Sequence, residues 1–281
     1  MTDAAPPRRI WLCADDYGLS PGVNRAIRDL IERGRLNATS VMVVGPAIGR
    51  DEISTLRTAA TNSPRCSIGL HVTLTAPFRP LTMHFQPLDG GMFLAFPKLL
   101  RAGLLWRLDP EIIHAELMVQ LSAFNEMFGR APDFVDGHQH AQLFPGVRDA
   151  FLTAVKEAAP NAWVRQGGRS QPLARRLGTP KALVLDVLSA QFRRRAARAN
   201  IAFNPGFAGA YDFSQQPEFG ALMRQFLDRL PEHGLIMCHP GFVDEVLTGL
   251  DAMTDVRERE HGYLASEAFA RLLTDSGATL E

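Results

Sequence analysis

Two adjacent carboxylates, Asp15 and Asp16, close the apolar run Ile10-Trp11-Leu12-Cys13-Ala14. Like charges side by side at the end of a buried strand oppose burial unless a cation or hydrogen-bond donors compensate. The pairing suggests a division of labour in which one carboxylate holds a metal and the other acts as a base. Matching partners stand where other apolar runs end: His71 after Ile68-Gly69-Leu70, then Asp136, His138 and His140 in Asp136-Gly137-His138-Gln139-His140, and His239 in Cys238-His239-Pro240-Gly241. An isolated Asp-Asp pair would serve as well to cap the following helix, and a lone strand histidine as a hydrogen-bonded core residue. Their joint occurrence favours chemistry. His84, His114, His233 and His261 fall in loops or helical patterns and receive no role.

Short apolar runs alternate with helical patterns, the sequence form of a parallel α/β architecture. Strands are expected over 9–14, 39–44, 66–74, 134–138, 162–164, 200–203 and 235–238. Ser20-Pro21-Gly22 reads as the cap and first turn of a helix whose apolar stripe is Ala26, Ile27, Leu30 and Ile31, with Gly34 at its end. Asp109-Pro110 opens another, ending at Gly129, and further helices are expected over 147–158, 217–230 and 256–273. About seven strand-helix units fit a distorted (β/α) barrel better than a two-domain nucleotide fold. In a barrel every strand-end residue named above lies at the C-terminal mouth, so positions far apart in sequence converge.

The 281 residues carry no net charge and an ordinary apolar fraction, which gives no argument for nucleic-acid binding or disorder. No linker divides the chain, so a single domain over 1–281 is expected, with loop insertions at about 84–108 and 165–212. Cys13, Cys66 and Cys238 are widely spaced and read as reduced core thiols. With no leader-like or spanning apolar segment, a cytoplasmic location is expected, with peripheral contact at the inner membrane face allowed. Two segments bear on that contact. Phe93 to Trp106 reads either as an ordinary lid or as an apolar entrance touching a membrane. Arg165 to Arg198, with Arg169, Arg175, Arg176, Lys181, Arg193, Arg194 and Arg195, reads either as a solvated helix or as a basic amphipathic surface for anionic headgroups.

Four ordered motifs, Ala14-Asp15-Asp16-Tyr17-Gly18-Leu19-Ser20 with Gly22-Val23-Asn24, Gly69-Leu70-His71-Val72-Thr73-Leu74-Thr75, Asp136-Gly137-His138-Gln139-His140 and Cys238-His239-Pro240-Gly241, resemble the YdjC-like carbohydrate deacetylases. The stretch Asn204 to Phe213 looks like the branch of that family associated with hopanoid biosynthesis, thought to deacetylate an N-acetylglucosaminyl hopanoid. The resemblance implies a TIM-like barrel of the glycoside hydrolase/deacetylase type. It makes Asp16, His71 and His138 the ligands of one divalent metal ion, zinc or magnesium, and Asp15 the base. Only the resemblance ranks His138 above His140 as ligand. His239 is then the candidate general acid for the departing amine, with His140 the second candidate, and Asp136 orients His138 or a neighbouring histidine. Tyr17, Asn24, Phe207 and Tyr211 are the expected substrate contacts. The implied partner is a saccharide or glycolipid containing N-acetylglucosamine; the alternatives are a chitooligosaccharide deacetylase, a phosphoesterase, and a non-catalytic saccharide- or lipid-binding barrel.

Overall fold

A computed structural model describes residues 6–62, 66–169, 180–215 and 217–280. In chain order its elements are β1 (Arg8–Tyr17), α1 (Pro21–Glu32), β2 (Ala38–Val41), α2 (Arg50–Asn62), β3 (Ser67–Val72), β4 (Leu88–Asp89), β5 (Met92–Phe93), α3 (Phe96–Leu104), α4 (Pro110–Phe128) and β6 (Phe134–Gly137). A 3-10 turn (His138–Leu143) leads to α5 (Arg148–Ala158), β7 (Trp163–Val164), α6 (Pro180–Arg198) and β8 (Phe207–Ala208). After a short 3-10 turn (Phe213–Gln215) come α7 (Phe219–Leu227), β9 (Leu235–Cys238), α8 (Glu245–Leu250), α9 (Asp255–Leu264), α10 (Glu267–Asp275) and β10 (Ala278–Leu280).

The main sheet runs β7-β6-β3-β2-β1-β9-β8, every neighbouring pair parallel, with β10 extending β1 at its start. Its two ends approach each other through bridges from Val164 to Phe203 and from Arg169 to Phe207, so the sheet curls into a distorted barrel. β2, β6 and β9 are buried along their whole length, as expected of parallel strands covered by helices on one face and barrel interior on the other. Gly69 on β3 allows the closest approach in this wall: a Cβ there would sit 2.5 Å from the Phe134 ring of β6.

The local signals set the helix ends. Ser20 Oγ accepts from Val23 N at the start of α1, with Pro21 in the first turn. Gly34, at φ +65°, follows its last turn. Asp109 caps α4, and Gly129 closes it in the left-handed conformation. The expected helix over 256–273 is instead two helices, because Ser266 caps a fresh start and accepts from Phe269 N. The expected strand over 200–203 is a single bridge at Phe203, and the ladder forms at Phe207–Ala208.

In each insertion the structure matches one of the two sequence readings, a lid packed on the barrel and a helix with one buried apolar face. Within 84–108, β4 and β5 form a hairpin and α3 packs on the 3-10 turn after β6, with the Phe96 and Phe144 rings 5.5 Å apart. Leu104, Leu105 and Trp106 at its end are exposed. Arg165 to Arg198 is not one basic surface. Arg165 is wholly buried, Arg169 pairs with Asp186 and Arg195 with Asp149, while Leu188, Phe192 and Ala196 turn one face of α6 inward. Arg175 and Arg176 lie outside the described residues, as does the Lys181 side chain. Cys13, Cys66 and Cys238 are free thiols. Among the described residues no helix is long and apolar enough to cross a membrane.

Candidate active site

Successive side chains on a strand point to opposite faces, yet Asp15 and Asp16 both line one cavity. The backbone resolves the conflict: the register of β1 against β2 shifts between Ala14 and Tyr17, and Asp16 adopts φ +70°. Such a bulge re-aims one side chain at the rim of a barrel. A second irregularity lies opposite, where consecutive residues Gln139 and His140 both take left-handed φ values, 53° and 57°. Conformations of this kind cost about 1–3 kcal/mol each and concentrate at functional sites.

The cavity, about 630 Å³, opens at the C-terminal ends of the strands. On its polar side are Asp15, Asp16, His71, His138, His140, His239 and Arg257; on its apolar side are Leu19, Pro77, Phe78, Phe213, Met237 and Met253. Asp16 Oδ1 lies 3.3 Å from His71 Nε2 and 3.1 Å from His138 Nδ1. One carboxylate oxygen and two imidazole nitrogens at those separations suit an ion with bonds of about 2.0–2.2 Å, and leave positions open for other ligands. On the far edge of His71, Nδ1 meets Asp136 Oδ1 at 2.6 Å and Ser40 Oγ at 3.1 Å. Asp136 therefore orients His71, not His138, in the carboxylate-imidazole arrangement common behind metal ligands. Burial alone would lower the His71 pKa, but Asp136 and Asp15 override it and raise it to about 10. The field that holds a proton on this imidazole equally favours a cation beside it.

A second group of metal-type side chains, Cys13, Asp15 and Asp136, already has a cation, the guanidinium of Arg165. Arg165, at the end of β7, donates from Nη1 to Asp15 Oδ2 at 2.6 Å and from Nη2 to Asp15 Oδ1 at 2.5 Å, and its Nη2 also pairs with Asp136. Burial would raise the Asp15 pKa; Arg165, joined by His71 and His239, more than offsets that and holds the carboxyl well below its usual range. Asp16 is likewise held low against burial, by Arg257 and His138. Both aspartates are thus ionised at neutral pH, one aimed at the ion-sized gap and one clamped next to it.

The two candidate acids differ. Burial and the nearby Arg165 lower the His140 imidazole to about 3, so it is neutral under ordinary conditions; its ring stands edge-on to Phe207. His239 is fixed through its backbone, whose N–H donates to Glu260 Oε2 at 2.5 Å, and its ring stands edge-on to Phe213. Nδ1 of each imidazole has no hydrogen-bond partner among the described residues.

The expected substrate contacts are not brought to the cavity. Tyr17 and Asn24 are fully buried behind the rim: Tyr17 points to the opposite face of β1 and meets Glu52 and Arg28, while Asn24 receives Gly18 N–H and donates to Ala47 O. Phe207 is a core residue beneath His140, and the Tyr211 hydroxyl donates to Glu260 Oε1. Phe78 and Phe213 line the cavity in their place. Arg165, Arg257 and Glu260 were absent from the sequence-based set. Arg165 alone carried a usable signal, because it follows a strand as the other site residues do.

Across residues 9–275 the chain matches the YdjC-like proteins. It belongs to that family. A candidate cellobiose-phosphate cleavage protein from Enterococcus faecalis V583 is similar over 98% of this YdjC-like chain and 97% of its own, at 20% identity and a TM-score of 0.72. A lactam utilization protein from Thermus thermophilus is similar over 97% and 99% of the two chains, at 15% identity and a TM-score of 0.51. These likenesses are of fold. A family 4 carbohydrate esterase from Streptomyces lividans, solved in complex with acetate, aligns over 98% of the YdjC-like chain and 93% of its own, at 11% identity and a TM-score of 0.45.

Proposed function

We propose that this YdjC-like protein hydrolyses the acetamide of an N-acetylglucosamine unit, with a divalent ion held by Asp16, His71 and His138. The observation that carries the reading is the pairing of two differently held carboxylates: Asp16 faces two imidazoles, while Asp15 is clamped by Arg165 and remains free of the ion's ligand set. A site built only to retain a metal has no need of the second. When bound, such an ion polarises a carbonyl and acidifies water.

The chain's own residues do the rest. Asp15, ionised and fixed by the Arg165 fork, accepts a proton from the attacking water. Its low basicity confines it to water that is already acidified. His239 donates to the departing amine, because His140 is held neutral and has no proton to spare at Nδ1 and Nε2 together. Phe78 and Phe213 give the sugar apolar faces, and the same cavity wall excludes bulk water from the carbonyl.

An apolar aglycone, as in a glycosylated hopanoid, is the finer substrate reading. The apolar wall of Leu250, Met253 and Val256 supports it, as does the exposed Leu104-Leu105-Trp106 end of α3 as a point of membrane contact. A chitooligosaccharide is the alternative substrate. Acetate release from an N-acetylglucosaminyl hopanoid and from diacetylchitobiose separates them: the lipid reading expects the hopanoid to be used at least tenfold better in kcat/KM, about 1.4 kcal/mol of additional transition-state binding. Release from diacetylchitobiose alone removes the lipid reading and keeps the chemistry. Release from neither leaves another hydrolysis, such as that of a phosphoesterase, or a non-catalytic saccharide- or lipid-binding barrel.

A further inference from the structure

Arg257, on α9, is wholly buried and lines the cavity beside Asp16. Three of its contacts fix the guanidinium: Nη2 donates to Asp16 Oδ2 at 2.6 Å and to Asp251 Oδ2 at 2.7 Å, and Nε donates to Met253 O at 3.1 Å. The stem is fixed too, since Gly241 packs so closely that a Cβ there would lie 3.2 Å from Arg257 Cβ and Cδ. Nη1 has no hydrogen-bond partner among the described residues. A guanidinium held this firmly, in a residue that lines the cavity and with one buried nitrogen lacking a partner, is organised to receive an acceptor that arrives with a ligand.

Asp16 and Asp251 already pair with Nη2, so the guanidinium charge is answered by carboxylates and what remains at Nη1 is a hydrogen-bond donor, which a neutral oxygen can meet. We propose that Arg257 binds substrate directly, donating from Nη1 to a sugar hydroxyl or ring oxygen, with Asp251 as its positioning residue. This rests on the saccharide reading of the site. It adds a contact on the side of Asp16 away from the two histidines, provided by α9 and held by Asp251 and Met253 of the loop before it.

The test compares wild type, Arg257→Lys and Asp251→Asn, each loaded with the same divalent ion. Calorimetric titration with diacetylchitobiose reads binding, and KM and kcat are taken from acetate release. Arg257→Lys is expected to weaken binding and raise KM about ten- to hundredfold, the range for a hydrogen bond to a charged group. It should retain its ion, with kcat within about threefold of wild type. Asp251→Asn is expected to raise KM by a smaller factor with its thermal stability intact. Unchanged binding in ion-loaded Arg257→Lys, or a fall in kcat at constant KM, overturns the proposal. If Arg257→Lys does not fold, Asp251→Asn decides, and an unchanged KM overturns it. A wild type that binds the disaccharide but releases no acetate defeats the deacetylase reading alone, because the calorimetric comparison still reads the Arg257 contact.

Discussion

Replacing Arg165 by methionine is expected to destabilise the protein by about 3–5 kcal/mol, the usual consequence of leaving a buried charge without its partner. Arg165 is fully buried and is the counter-charge shared by Asp15 and Asp136, which are themselves almost wholly inaccessible. Methionine approximates the stem but supplies neither charge nor donor. Two carboxylates would then face each other and Cys13 in the barrel interior. Urea denaturation checks this through a lower midpoint at an unchanged slope. Adding Asp136→Asn should recover part of the loss, since it removes one of the stranded charges, and the double-mutant cycle gives the coupling. A loss below about 1 kcal/mol would mean that Arg165 behaves as a surface ion pair does.

The second large effect is on turnover. Asp15→Asn keeps the shape of the side chain and an acceptor for Arg165 but cannot take a proton. The expected result is a fall in kcat of about 10²- to 10⁴-fold, the range for a lost general base, with the divalent ion still bound, because the proposed ligand set is Asp16, His71 and His138 and leaves Asp15 out. Kinetics and metal content measured on the same preparation check it. A variant that keeps its ion and loses no more than about threefold in kcat would exclude Asp15 as the base. A variant that loses its ion would place Asp15 in the ligand set instead.

Much of this was legible in the sequence because parallel strands announce their ends. Asp15, Asp16, His71, Asp136, His138 and His239 each stand where an apolar run stops, and the barrel gathers such positions at one mouth. That Asp15 and Asp16 share a face was not legible, since it depends on the bulge and the positive φ at Asp16. Tyr17 was misassigned for the same reason: once the bulge turns Asp16 inward, its neighbour falls behind the rim. Phe207 was expected at the cavity from the stretch 204–213 that carries the resemblance, and the structure places it in the core because the ladder to β9 forms at Phe207–Ala208. Arg165 stood in a segment open to two readings, a solvated helix or a basic surface, and Arg257 drew none; Asp15 and Asp16, with which they pair, lie 150 and 241 residues away along the chain, pairings that only the closed sheet and α9 create.

The central claim is that a divalent ion at Asp16, His71 and His138 is required to release acetate from an N-acetylglucosamine unit. Its most direct test is acetate release from diacetylchitobiose by one preparation before chelation, after chelation, and after return of a single equivalent of zinc or magnesium. The account predicts that release stops on chelation and returns with that one equivalent. Undiminished acetate release by the fully chelated protein would contradict it.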